Sequence, residues 1–370
     1  MTKISIIVPL YYGSKYLNKI NSMVDENIYE LRKIYPNIEV ELIYINDSPD
    51  EHIFEPNNLN VYTNKSNLGV HASRICGLHH SKGEYILFLD QDDEIAPNYL
   101  LSQLQSIDSA DAVVCNGYYR NHKLIYEKNK VPIVTRNNVF MLKYRICSPG
   151  QVLIKKSSIP KEWKKMILTY SGADDFLLWL LMAVTGAKFR ANNTILYTHI
   201  ENGANASFNW TNMINSLKEM MCHIRNCTLF NDNDINKIEH IVNSTILKSS
   251  KYAELESKWN SLHIKGKTLG HYFKRKNIHT IAVYGYGIIG DKVIKELQED
   301  NIQVAYVIDK DPKYQNTKLT TYSLEDDWPH VELIIVTPIF AYEEIKQLLL
   351  SRNIKNIVSV DEIFDMLLQN

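Results

Sequence analysis

The chain has 370 residues, with 41 lysines and arginines against 42 aspartates and glutamates and a formal net charge of -1. That balance lacks the basic footprint of a nucleic-acid binder, and no apolar run approaches the roughly 20 residues that span a bilayer. Five scattered cysteines, Cys76, Cys115, Cys147, Cys222 and Cys227, argue against a disulfide framework, and Cys222 and Cys227 lack a second pair for a zinc site.

Met1 to Leu10 runs straight into a strand without a signal-peptide layout, so a reducing, cytoplasmic setting is expected and triplets such as Asn205-Ala206-Ser207 read as chance glycosylation matches. Ile4 to Leu10 is β-branched and almost wholly apolar, as suits a strand covered on both faces of a parallel sheet. A helix is predicted over roughly Lys15 to Ile34, then a strand from Val40 to Ile45 ending in Asn46-Asp47-Ser48-Pro49. The alternation continues with a strand from Leu59 to Thr63, a helix from about Val70 to Ser81 and a strand from Tyr85 to Leu89. Alternation of this kind predicts an α/β domain with a largely parallel sheet, whose ligands bind beyond the carboxyl ends of the strands. Tyr11-Tyr12, Asn46-Asp47 and Asp90-Gln91-Asp92-Asp93 all fall at such ends, so three separated segments are expected to converge on one crevice.

The acidic cluster admits two readings. One is a divalent cation held by one or two carboxylates together with substrate phosphates. The other is a solvated turn before a helix opened by Pro97, since acids favour the positive helix end. Beyond Pro97 the order loosens, with strands expected at Ala112 to Tyr118, Leu124 to Tyr126 and Gln151 to Lys155, and a helix over Asp174 to Thr185 whose run Phe176 to Val184 is the longest apolar stretch. A further strand is expected to end just before His199.

From Trp210 to about Trp259 the spacing of Met213, Leu217, Met220, Met221 and Ile224, then Ile235, Ile238 and Val242, is helical and reads as core. The expected organisation is an enzyme-like domain over 1–209, a helical connector over 210–276 whose apolar surface could pair subunits, and a small α/β domain over 277–370. Lys265-Gly266-Lys267 to Lys274-Arg275-Lys276 reads as a solvated basic linker, with a membrane-facing patch as the alternative. In the last segment, strands are expected at Thr280 to Tyr284, Val304 to Ile308, Leu333 to Thr337 and Asn356 to Val360, with helices to about Gln298 and over Tyr342 to Leu350. Gly285, Gly287 and Gly290 form a G-x-G-x-x-G turn between strand and helix, and Asp309 stands about twenty residues on, where a ribose-binding acid belongs. A nucleotide site and a purely structural turn are both open there.

Several segments together resemble the inverting nucleotide-sugar glycosyltransferases of family 2, whose fold is called GT-A. They are Ile6 to Tyr12, Asn46-Asp47-Ser48, Asn67-Leu68-Gly69 with Arg74, Lys82 to Ile86, the Asp90 to Asp93 cluster, and Gly172-Ala173-Asp174-Asp175-Phe176-Leu177-Leu178-Trp179, within about residues 3–207. The resemblance implies an α/β GT-A domain that moves a sugar from a nucleotide donor, commonly UDP, to a glycan or lipid-linked glycan acceptor in bacterial surface polysaccharide synthesis. It implies a donor site of Pro9, Tyr11, Asp47, Asn67, Arg74, Asp90 and Gln91, with Asp47 recognising the base. This chain has Asn46-Asp47 where relatives often carry two acids, which leaves the base open. Asp92, with His199 closing over the diphosphate, is implied as the holder of a Mg or Mn ion. Asp175 is implied as the base that deprotonates the acceptor and Asp174 as its support; helix N-terminal charge is the bland alternative for that pair. A peripheral contact with the inner face of the membrane is compatible with these partners. The rival reading centres an NAD(P)-dependent oxidoreductase or nucleotide sensor on the Gly285 turn.

Overall fold

The computed structural model describes residues 3–53, 60–119, 124–127, 134–200, 209–310 and 319–369. It divides into two compact units, Met1–Ile246 and Leu247–Asn370.

The first unit opens with β1 (Lys3–Leu10), α1 (Leu17–Arg32), β2 (Glu39–Asn46), β3 (Asn60–Thr63), α2 (Val70–His80) and β4 (Tyr85–Phe88). It continues with β5 (Glu94–Ile95), α3 (Tyr99–Ile107), β6 (Ala112–Tyr119), α4 (Arg136–Phe140), β7 (Val152–Lys155), α5 (Asp174–Val184), β8 (Phe189–His199) and α6 (Trp210–Arg225). The eight strands form one sheet in the order β3-β2-β1-β4-β7-β6-β8-β5. The first four are parallel, and antiparallel β7 then turns the sheet mixed. This is the α/β class expected from the sequence.

Central β1 is apolar on both faces because both are covered. Ile7 joins the core that contains α2, α5 and α6, while Ile6 and Val8 join the core built on α1 and α3. Parallel register sets Leu10 beside Asn46 and Ile7 beside Phe88, so the loops after β1, β2 and β4 leave the sheet at one edge.

One departure from the predicted elements has a local cause. Leu124 to Tyr126 forms only a bridge to Tyr118, because the Asn116 side chain takes both the N–H and the carbonyl of Tyr126 that a strand neighbour would use. β8 spans eleven residues through Asn192 and Asn193, poor strand formers, and pairs in parallel with buried β6.

The long helix α7 (Asp232–Ile264) crosses the unit boundary. Ile238 and Val242 pack in the first unit's core, whereas Leu255, Trp259 and Leu262 pack in the second's. Residues of the stretch 210–276 thus contribute to both cores.

The second unit adds α8 (Leu269–Lys276), β9 (Thr280–Tyr284), α9 (Ile288–Glu299), β10 (Gln303–Ile308), β11 (Thr321–Tyr322), β12 (Leu333–Val336), α10 (Tyr342–Ser351), β13 (Ile357–Ser359) and α11 (Val360–Gln369). Its sheet is wholly parallel, in the order β11-β10-β9-β12-β13. The basic segment read as a linker is helix α8: Leu269, Tyr272 and Phe273, spaced i, i+3, i+4, are buried, and Thr268 and His271 close a capping box at its start.

Candidate functional site

The segments expected to converge do meet at the carboxyl edge of the sheet. The Gln91 side chain accepts the Tyr11 N–H at 3.0 Å and donates to the Tyr11 carbonyl at 3.2 Å. Ser48 Oγ accepts the Tyr12 N–H at 2.9 Å. Gln91 thereby fixes the backbone after β1, a turn in which Tyr12 takes a φ of 45° and a Cβ on Gly13 would fall 2.4 Å from the Gln91 oxygen. Tyr11 and Tyr12 stand exposed above this turn, their rings edge to face at 4.8 Å. Pro9 pairs with Ile45 inside the parallel ladder.

Asp47 is buried, and its carboxylate accepts the Leu68 and Gly69 N–H groups and the Asn64 amide, each at 2.8 Å. It holds the turn in which Asn67 accepts from Gly69 and Gly69 takes a φ of 87° before α2 begins. The base-recognising acid implied by the resemblance is therefore also the anchor of the Asn67-Leu68-Gly69 segment.

Arg74, on α2, joins the two acidic groups. Its guanidinium contacts Asp174 through Nη1 and Asp90 Oδ1 through Nη2 at 2.5 Å, while Ser148 Oγ donates to Asp90 Oδ2 at 3.1 Å. Arg74 is 4 % exposed. Burial works against its charge, but Asp174 and then Asp90 outweigh that and raise its pKa. Arg74, implied by the resemblance as a donor-site residue, is thus a buried clamp between chain segments 84 residues apart.

The three cluster acids differ in role. Asp93 is buried, and its carboxylate is met by the Tyr197 hydroxyl, by His199 Nδ1 at 3.2 Å and by the Ile200 N–H at 2.9 Å, tying the cluster to the end of β8. Burial raises its pKa against the opposing pull of His199. Burial, then Asp93 and Asp90, push the Asp92 carboxyl up to about 6. Surplus negative charge of this kind fits a hard cation with oxygen ligands. Among the described residues no group of three or more His, Cys, Asp or Glu side chains is arranged around a metal position. Residues 201–208, which follow His199 and Ile200, lie outside the described residues.

Asp174 and Asp175 open α5, whose N-cap Ala173 supplies no side-chain cap. Burial and the adjacent Asp174 raise the Asp175 carboxyl to about 7, against Arg74 and the Phe176 N–H. A carboxyl tuned to neutrality is suited to proton transfer. Asp174 is held by Arg74 on its side chain and by Trp163 Nε1, which donates to its carbonyl at 3.0 Å. Trp163 packs against His71 with the rings tilted and 4.6 Å apart; burial lowers the His71 imidazole to about 4, and its Nδ1 accepts the Leu168 N–H at 3.0 Å. Ser148, Trp163, His71 and Tyr197 carry no local signal in the sequence; each is recruited from a distant segment by packing.

The described concavity of about 430 Å³ lies elsewhere. It is lined by Ile34, Tyr35, Pro36, Asn37, Ile38, Tyr85 and Leu104, at the end of the sheet where β4 begins, opposite the carboxylates.

In the second unit, Asp309 Oδ2 accepts the Tyr286 N–H at 2.8 Å, so the expected ribose acid braces the glycine turn. Gly285 takes a φ of 93°, and a Cβ on Gly290 would fall 2.1 Å from the Gly285 carbonyl oxygen, whereas Gly287 faces open space. Packing alone requires two of the three glycines.

No described helix is long and apolar enough to cross a membrane. An uncharacterized glycosyltransferase of Haemophilus influenzae is 36 % identical over 144 residues, covering 36 % of this chain and 53 % of that protein. The minor teichoic acid biosynthesis protein GgaB of Bacillus subtilis is 34 % identical over 113 residues, 28 % of this chain and 12 % of GgaB. The chain thus spans about half the length of the first relative and far less of the second. The crystal structure of S. aureus TarS 1-349 in complex with UDP-GlcNAc aligns with a TM-score of 0.49 at 18 % identity, over 65 % of this chain and 72 % of that one. The model of glycosyl transferase family 2 matches residues 5–163, from Ser5 in β1 to Trp163, the indole that holds the Asp174 carbonyl.

Proposed function

We propose that the first unit is a metal-dependent inverting glycosyltransferase that moves a sugar from a nucleotide donor, UDP in our reading, to a hydroxyl of a glycan or lipid-linked glycan. The observation that carries this is the Arg74 clamp, which draws the Asp90 cluster and the Asp174-Asp175 pair into one site. In this reading the Asp90 side faces the donor and Asp175 faces the acceptor. Asp175 takes the proton of the acceptor hydroxyl while that oxygen bonds to the anomeric carbon, opposite the breaking bond to the nucleoside diphosphate. Inversion follows from attack on the face opposite the leaving group. Asp92, with His199, would hold Mg²⁺ or Mn²⁺, which when bound supplies Lewis-acid stabilisation of the departing diphosphate. Asp93 orients His199 through Nδ1, an outer-shell arrangement common to ligating histidines. The similarity to a teichoic acid biosynthesis protein supports a bacterial surface glycan as the product, made at the inner face of the membrane.

The test is release of nucleoside diphosphate from a panel of nucleotide sugars by the purified chain, with Mg²⁺, Mn²⁺ or chelator. Asp92→Ala and Asp175→Asn are each expected to abolish turnover in folded protein. Retained turnover in either variant overturns that residue's assignment, and turnover unaffected by chelator overturns the metal.

A further inference from the structure

Resting on the glycosyltransferase reading, we propose that Ser216 and Glu219 of α6 are positioning residues for the acid pair, holding the turn before α5 so that Asp175 meets the acceptor hydroxyl. Nothing local fixes that turn. Residues 168–173 have no regular structure, and α5 lacks a side-chain N-cap. Yet Leu168, Thr169, Tyr170 and Ala173 are each hydrogen-bonded to another element, and most of these bonds come from α6. Glu219 Oε2 accepts the Thr169 N–H at 2.8 Å and the Tyr170 N–H at 3.4 Å, and Oε1 accepts the Thr169 hydroxyl at 3.0 Å. The wholly buried Ser216 hydroxyl donates to the Tyr170 carbonyl at 2.8 Å and accepts the Ala173 N–H at 3.0 Å. One hydroxyl thus bridges the chain across Gly172, whose φ of 133° favours glycine and which packs under the Met213 side chain of α6.

Helix α6 is a rigid support, since Leu217, Met220, Met221 and Ile224 are buried in the same core as Phe176 to Met182 of α5. A carboxylate is a strong acceptor for two successive backbone N–H groups. The geometry assigns α6 to the catalytic apparatus although it lies beyond the family match, which ends at residue 163. Displacement of a reacting group by about 1 Å costs on the order of 100-fold in rate, so loosening this turn should act on turnover rather than on donor affinity.

The experiment uses the full chain and whichever nucleotide sugar of the panel it turns over, with rates expressed per folded molecule. Glu219→Ala and Ser216→Ala are each expected to lower kcat about 10- to 100-fold while donor KM stays within about twofold. Glu219→Gln, whose amide oxygen still accepts, should restore most of the rate. Thr185→Val, which removes a hydroxyl bond to the Leu181 carbonyl at the far end of α5, is a stability control expected to leave kcat unchanged. Lowered unfolding midpoints with unchanged kcat in the α6 variants overturn the proposal, as does a fall in kcat that Thr185→Val reproduces. Absence of turnover in the unmodified chain with every nucleotide sugar overturns the glycosyltransferase reading, and this inference with it, whereas an intact wild-type rate beside unimpaired α6 variants overturns the inference alone.

Discussion

Replacing Arg74 by methionine removes the charge that joins the two acidic groups and keeps much of the side-chain volume. Side-chain exposure is 5 % for Arg74, 5 % for Asp174 and 28 % for Asp90, so solvent cannot compensate the loss on the Asp174 side. Breaking a buried pair by removing one partner costs about 3–5 kcal/mol. For a unit of this size that is a fall of roughly 6–20 °C in the unfolding midpoint. The pH dependence has a definite sign. Asp175 is already raised to about 7 with Arg74 present. Without the cation Asp175 keeps its proton to still higher pH in the folded state, while its unfolded carboxyl titrates near the ordinary value. Above pH 7 the folded variant therefore holds a proton that the folded wild type has lost. Its stability deficit should grow with pH by up to about 1.4 kcal/mol per unit. Urea unfolding of both proteins at pH 6.5 and 8.5 measures this directly. The double variant Arg74→Met/Asp174→Asn, which removes the stranded charge as well, should recover most of the deficit. A deficit below about 1 kcal/mol, one equal at both pH values, or no recovery in the double variant would refute the buried clamp.

The same titration bears on turnover. As the proposed base, Asp175 would work only when ionised, so with its carboxyl at about 7 the kcat/KM for transfer should fall toward tenfold per unit as pH drops below 7, and a profile flat to pH 5 would remove Asp175 from that role. Tyr197→Phe deletes a hydroxyl that meets the buried Asp93 carboxylate and should cost about 1–3 kcal/mol in urea unfolding; no loss would mean that this contact does not anchor the cluster. In the second unit, Gly290→Ala forces a methyl against the Gly285 carbonyl and should destabilise that unit by about 1–3 kcal/mol, whereas a neutral result would mean that the turn is not closed by packing.

What the chain alone determined is what period and local chemistry encode. The apolar runs of β1, β2, β4, β9, β10 and β12 and the helices between them were legible because strands buried on both faces need continuous β-branched sequence. Three strand-end segments were legible as one site because parallel strands deliver their carboxyl ends to one edge. Local signals misled where a residue answers to a distant partner. The cations and glycine of 265–276 suggested a linker, but Leu269, Tyr272 and Phe273 find a core and make a helix. Asp47 and Asp309, expected as ligand-binding acids, also have structural partners that spacing does not reveal: Asp47 accepts the Leu68 and Gly69 N–H groups and Asp309 the Tyr286 N–H. The reach of Arg74 across 100 residues to Asp174, and the hold of Ser216 and Glu219 on the turn before α5, have no trace in spacing. Only the tertiary structure decides them, because the free energy of a buried charge or a tethered loop depends on what packing brings beside it, not on its neighbours in sequence.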